Sequence, residues 1–548
     1  MSKTCKKCNA EFEVLEKDRE FYEQMDVPEP TFCPDCRAQR RFSFRNQSNL
    51  YKRKCDATGE NMISLYSPDK PHKVYKEEVW WSDKWDPMDY GQDFDFDRPF
   101  FEQFEELMLA VPRRGMHQDG TNENCEYITF GMNNKNCYLV FAPFAAEDSC
   151  YSSLIAMCQD VFDCHICTES QLLYECTDCG KCYNCIYCDD CSECRDSYLL
   201  DNCRNCSNCV CCKNLRNKEY HIYNKPVSKE GFEKFKEGLL IGRRELLAEK
   251  KRFDEWKLEL PFADVRAKNG ENCYGDYIDN AKDCYYSFDV LWGAENCNYC
   301  QTCGWQGKDI WDCGNTGKES QMVYEMHASV TSHKCAFCTF FRGGNDCYYC
   351  DCMDSVNDCF GCIGLRHKKY CILNKQYSKE EYEELKGRII EHMKKTGEWG
   401  EFFPTEISPF AFNETYSHEL YPLPKEEVLK RGRKWRDEDE AEYRKATCEL
   451  PDGIDGVVDS IVDEVLACEK CGKNYKFIPQ ELKFYKKMSL PLPERCFECR
   501  RKRRIAVRNP YKLYDRKCGK CDAKIHTSYS PKRPEKVYCK QCYLAEVY

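Results

Sequence analysis

Apolar and polar positions change rhythm along the chain. In SKEEYEELKGRIIEHMKK, from Ser378, the residues Tyr382, Leu385, Ile389 and Met393 fall on an i, i+3, i+4 stripe, which predicts an amphipathic helix. Ser378 and Glu381 stand at its start as a capping box. The segment SKEGFEKFKEGLLIGRRELLAEKKRFDEW, from Ser228, predicts a related helical stretch. Ahead of each helical stretch a short phrase recurs, with Asn or Asp shortly before a Cys and often an aromatic after it: ENCEY, KNCYL, DSCYS, then ENCYG, KDCYY, ENCNY. Spacings of 12 and 13 separate Cys125, Cys137 and Cys150, and 12 separates Cys164, Cys176 and Cys188. This periodicity predicts short strands and tight turns stacked as coils of a β-solenoid. Asn and Asp would form ladders at the turns, Cys would fill a narrow core, and the helices would lie against or cap the coils. From Cys176 to Cys194 a Cys stands at every third residue. A single β-strand, with period two, does not place residues that way. A multi-cornered path would, and a metal–thiolate cluster would also favour it.

The centre is duplicated. CVCCKNLRNKEYHIYNKPVSKE from Cys209 matches CFGCIGLRHKKYCILNKQYSKE from Cys359 at an offset of 150. Upstream, Glu123-Asn124-Cys125 matches Glu271-Asn272-Cys273, and Cys137 matches Cys284. The ends are copies too, at an offset of 463: Cys5, Cys8, Cys33 and Cys36 match Cys468, Cys471, Cys496 and Cys499. The match continues through Phe21-Tyr22 with Phe484-Tyr485, Arg45-Asn46 with Arg508-Asn509 and Lys73-Val74-Tyr75 with Lys536-Val537-Tyr538.

Composition sharpens the chemistry. The 548 residues include 46 cysteines, 33 of them between Cys125 and Cys448. The start, MSKTCKKCNAEF, has no apolar core of a secretory signal, and no apolar run reaches the ~18 residues that cross a bilayer. Reduced thiols in a cytoplasmic, membrane-free protein are therefore expected. Paired CxxC turns bring four thiolates onto a tetrahedral ion and close the site. At each end the second pair runs into an expected helix, residues 37–46 and 500–509. A further set, Cys518, Cys521, Cys539 and Cys542, has zinc-ribbon spacing, whereas the N-terminal copy holds Cys55, Thr58, Lys76 and Val79 there. Three Zn²⁺ ions are expected, one near the N-terminus and two near the C-terminus. In place of the lost site the segment VWWSDKWDPMDY would supply an apolar cluster. The ligand pattern resembles the zinc-ribbon, treble-clef-like domains of a Cys-rich bacterial family with terminal zinc ribbons and a Cys-rich repeat centre. The resemblance implies metal binding and no particular biological role.

Charge supplies the remaining candidates. The net charge is −11, so the chain is not a generally basic nucleic-acid coat. Two basic runs stand beside the zinc motifs: Arg37, Arg40, Arg41 and Arg45, and Arg500, Arg503, Arg504 and Arg508. Basic segments beside zinc ribbons can neutralise phosphates; they can equally balance zinc-thiolate charge or pair with the acidic run at 437–442. No P-loop, GxSxG or HExxH motif is present, and closed Cys₄ sites offer no coordination position to a substrate. The expected organisation is multidomain: a zinc domain at 1–115, Cys-rich units with helices at 116–262 and 263–400, an acidic linker at 401–466 and a double zinc domain at 467–548. Two functions fit it. One is a non-enzymatic scaffold whose basic ends contact nucleic acid, RNA foremost, or a protein partner. The other is a thiol-rich protein that binds metal or buffers redox state through its central cysteines.

Overall fold

The computed structural model describes residues 2–314, 320–438 and 442–547. The chain opens with a hairpin, Ser2–Thr4 against Glu11–Glu13, whose turn carries Cys5 and Cys8. Helix Glu16–Gln24 follows, then helix Pro34–Phe42, with Cys33 as N-cap and Pro34 in its first turn. Proline suits that place because an N–H there would have no intrahelical partner. A second hairpin pairs Tyr51–Lys54 with Asn61–Ser64. The C-terminal module keeps this order: Leu466–Ala467 against Asn474–Tyr475, helices Pro479–Lys487 and Phe497–Val507, then Tyr514–Lys517 against Lys524–Thr527. Both basic helices begin earlier than the charge pattern predicts. The cause is the cap: Cys33 and Cys496 take the N-cap, and first-turn N–H groups of Cys36 and Cys499 turn to their sulfurs.

Between the modules lie two stacks of parallel strands. In the first, Gln159, Gln171, Tyr183, Arg195, Ser207 and Glu219 pair rung over rung at a step of 12. In the second, Gln321, His333, Asn345, Asn357 and Lys369 keep that step. Its earlier rungs are less regular, with 11 residues from Tyr274 to Tyr285 and 13 from Phe288 to Gln301. From Asn133 to Tyr223 every third residue takes a left-handed conformation without a gap. Each Cys from Cys176 to Cys194 directly follows such a corner, beginning at Glu175 and ending at Glu193, and each is buried. The period of three is thus a period of corners, with the residue after each corner turned inward. Asn and Asp tolerate this backbone region better than other side-chain-bearing residues. They also stack: Asn124 donates to Asn136 at 2.9 Å, Asn136 to Asp148 at 3.0 Å and Asn272 to Asp283 at 3.1 Å.

The inward thiols have hydrogen-bonding duties. Cys158 Sγ lies 3.4 Å from Ala156 O and 3.3 Å from Cys167 O. Ser152 occupies a comparable position and its Oγ reaches Cys150 O at 3.0 Å and Val161 O at 3.2 Å. Burial pushes the Cys150 and Cys158 thiols up, which keeps them protonated and able to donate. The capping box forms as expected, with Glu381 N donating to Ser378 Oγ at 3.2 Å and Ser378 N to Glu381 Oε2 at 2.9 Å. Tyr382, Ile389 and Met393 are buried in the apolar core beside the second stack. Part of the expected linker is a packed strap instead: Phe402, Phe403, Phe410, Phe412 and Tyr416 are buried, and Tyr416 N donates to Arg45 O at 2.7 Å. Residues 439–441 of the acidic run lie outside the described residues.

Candidate metal centres

Three sets of cysteines converge among the described residues: Cys5, Cys8, Cys33 and Cys36; Cys468, Cys471, Cys496 and Cys499; and Cys518, Cys521, Cys539 and Cys542. Within each set the sulfurs all lie within 4.8 Å of one another. Cys8 and Cys33 stand 3.7 Å apart, Cys471 and Cys496 3.7 Å, and Cys521 and Cys539 3.8 Å. Sulfurs on the corners of a tetrahedron at the ~2.3 Å zinc–thiolate bond length are separated by about 3.8 Å, so one pair in each set already stands at the separation zinc requires, and the donor chemistry fits that ion. In each set one thiol is held toward thiolate. The Cys36 hydrogen bond pulls Cys33 down to about 5. Burial pushes Cys468 up, but the N–H groups of Cys496, Cys471 and Lys470 outweigh it and hold the thiol at about 6. At Cys518 burial is outweighed in the same way by the N–H groups of Cys539, Lys520 and Cys521, again at about 6. Cys8, Cys471 and Cys521 are exposed, so one ligand of each set faces solvent.

The N-terminal copy of the last set keeps a single ligand. Lys76 N donates to Cys55 Sγ at 3.4 Å, as Cys539 N does to Cys518 Sγ at 3.3 Å. Cys55 sits in a small apolar cluster with Met62, Leu65, Tyr66 and Val74, and Val79 packs on it. Trp80 beyond it is buried and meets Trp81 edge-on at 4.8 Å. Packing here occupies the place that the C-terminal copy gives to four thiols.

The basic helices lie where the charge pattern does not put them. Arg37, Arg40, Arg41, Arg45, Arg500, Arg504 and Arg508 are buried, Arg41 completely, and Arg503 is partly covered. Each terminal module docks its helix on the stack that is more distant in sequence. Arg37 meets Asp312 at 2.9 Å, Arg40 meets Glu325 at 2.8 Å, and Arg41 reaches Asp312 at 3.8 Å and donates to Gln301 at 2.6 Å. At the other end Arg500 meets Asp163 at 3.1 Å, Arg503 pairs with Glu175 and Arg504 meets Asp163 at 2.7 Å. The aromatic contacts follow the same scheme: Phe21 stacks on Trp311 at 3.9 Å and Phe484 on Phe162 at 3.9 Å. These arginines are corrected from phosphate contacts to interior groups: ion pairs hold Arg37, Arg40, Arg41, Arg500, Arg503, Arg504 and Arg508, and Arg45 is buried over the Phe130 ring. A guanidinium enclosed against a carboxylate cannot reach a phosphate, and removing one partner would strand a buried charge.

The acids that receive the arginines were not singled out from sequence, although a signal existed: Phe162-Asp163-Cys164 and Trp311-Asp312-Cys313 repeat, as do Tyr174-Glu175 and Tyr324-Glu325. Among the described residues, the cysteine groups that converge as metal ligands are the three terminal sets. Known proteins agree with the C-terminal end of this picture: residues 462–507 match the family model described as "Probable treble clef domain". This is a zinc-ribbon-like, treble-clef module, and its Cys₄ set has a twin at the N-terminus. No curated protein and no solved structure matches the chain significantly. No helix among the described residues is long and apolar enough to cross a membrane.

Proposed function

We propose that the protein is a non-enzymatic scaffold in which three zinc ions staple the terminal modules, both modules clamp a pair of β-solenoids, and the C-terminal ribbon contacts nucleic-acid phosphates. The solenoid reading is supported by the parallel step of 12 and the corner at every third residue, which together give four corners per coil. The nucleic-acid reading rests on one observation, the surface of the C-terminal ribbon. Lys517, Lys520, Lys524, Lys532, Lys536 and Lys540 are all exposed. Their counterparts in the N-terminal copy are Lys54, Ala57, Asn61, Asp69, Lys73 and Glu77. The copy with four thiols is thus also the copy with a lysine face, which suits non-specific attraction to a phosphate backbone. Of these lysines, Lys520 is tied to Glu546 at 2.6 Å.

The test uses the zinc-loaded full chain and a fluorescently labelled single-stranded RNA. Anisotropy should report binding that weakens steeply with salt. Replacing Lys517, Lys524, Lys532 and Lys540 with Gln should lower affinity and flatten the salt slope by about 0.7 for each phosphate no longer neutralised. If neither RNA nor DNA binds in a salt-sensitive way at low ionic strength, the nucleic-acid reading falls and a protein partner takes its place.

A further inference from the structure

One column of corners in each stack changes character where the two stacks face each other. In the first stack the corners Phe130, Ala142, Leu154 and Ile166 follow one another at the step of 12, and Asp178, Asp190, Asn202 and Asn214 continue the same column. Asn and Asp suit the left-handed backbone of a corner; the four residues before them do not. Ile166, at φ of 52°, is β-branched and an outlier in that region. The second stack departs from the preference in the same way, with Thr302 at φ of 61°, Ala328 at 51° and Phe340 at 48°.

These corners surround a cavity of about 260 Å³ between the two stacks. Aromatic rings supply much of its wall. Phe144 meets Trp305 edge-on at 4.5 Å, Trp292 lies 5.9 Å from Trp305, and Phe130 stacks on Phe340 at 5.4 Å. Other apolar corners are covered by protein: Tyr151 and Leu199 are buried in the core they share with Phe253 and Phe484. Leu154, Trp292 and Trp305 are only half-buried and line the cavity instead. Packed interiors leave few voids larger than a water molecule. Local preference has thus been given up here for an apolar wall around open space, as happens at functional sites.

The three arginines of the wall are already engaged. Arg114 pairs with Glu77 at 3.3 Å and Arg342 with Asp354 at 3.3 Å, and Arg45 lies against the rings of Phe130 and Tyr416 at 4.5 and 5.7 Å. An anion would have to displace one of these partners, and a cation would be brought beside the guanidinium groups. Burying either charge without a partner of its own is costly.

We infer that the cavity binds a neutral, flat aromatic molecule of about two fused rings, a size set by a pocket at the small end of the ligand-binding range. Offset and edge-on contacts with the wall's rings hold it, and no charge on the ligand is needed. The site is separate from the lysine face of the C-terminal ribbon and does not depend on it.

The experiment uses the zinc-loaded full chain, isothermal titration calorimetry and a set of ligands that share one body. Naphthalene-1-carboxamide is neutral, 1-naphthoate is an anion and 1-naphthylmethylammonium is a cation. The amide should bind at one site per chain with a negative heat-capacity change, the mark of apolar burial. Both ions should bind about tenfold or more weakly, because each gives up hydration that the wall does not replace. Ala142→Leu with Ala328→Leu should fill the cavity and abolish amide binding. Leu154 and Leu199 already stand at corners, with φ of 56° and 55°, so that backbone accepts leucine. Absence of amide binding, equal affinity for either ion, or undiminished binding by the folded double variant would each overturn the site. Should the double variant not fold, the comparison of the amide with the ions on the unaltered protein decides alone.

Discussion

Inside the stacks a thiol and a hydroxyl occupy the same kind of place. Cys158 Sγ lies 3.4 Å from Ala156 O and 3.3 Å from Cys167 O, and Ser152 Oγ makes the same pair of contacts, to Cys150 O and Val161 O. A protonated central cysteine such as Cys158 therefore serves as a small, donor-bearing core residue. This gives a prediction at the residue scale. Cys158→Ser should keep stability within about 1 kcal/mol, whereas Cys158→Val should cost about 1–3 kcal/mol because buried carbonyls are left without their donor. Denaturant midpoints in reducing, chelator-free buffer measure both. Equal tolerance of Val and Ser would reduce the thiols to apolar filler.

A knuckle and the helix it caps form one element, because the Cys that opens the helix is also a metal ligand. Metal binding and helix formation are then coupled. The thiols of Cys33, Cys468 and Cys518 are held below their ordinary value, at about 5, 6 and 6. A depressed acid stabilises the folded state above its unfolded pKa, about 8.5 for Cys, and that contribution disappears as pH falls through the folded value. Native mass spectrometry should thus find three zinc ions per chain near pH 8 and their release on acidification through about 6 to 5, the range set by those thiols. One zinc or fewer at pH 8 would refute the three-site assignment.

At the scale of the whole molecule each end of the chain holds the far stack. The N-terminal helix rests on Asp312 and Glu325, and the C-terminal helix on Asp163 and Glu175. The buried acids Asp18 and Glu481 repeat the theme, accepting hydrogen bonds from Tyr299 at 2.7 Å and Tyr151 at 2.8 Å. Loss of one zinc should therefore be felt in the stack remote in sequence. Cys36→Ser should lower amide hydrogen-exchange protection in Lys308–Trp311 and Gln321–Tyr324, while Gln159–Phe162 and Gln171–Tyr174 stay protected. Equal loss in both stacks would show that the modules do not act separately.

Local chemistry alone determined a good part of this protein. The CxxC pairs mark the twelve cysteines that converge in three sets, since two intervening residues let one turn bring both sulfurs toward one ion. The capping box at Ser378 was legible because it lies within one helical turn. The period of three from Cys176 to Cys194 already excluded a flat strand. The fate of the arginines was decided by tertiary structure. A basic helix reads the same in sequence whether water or a carboxylate faces it, and the acids that enclose Arg37 and Arg500 lie 275 and 337 residues away. The lysine face of the C-terminal ribbon stands out only once those arginines are known to be buried. The cavity beside Arg45 depends on two stacks meeting, where alanines and aromatics separated by more than a hundred residues become neighbours.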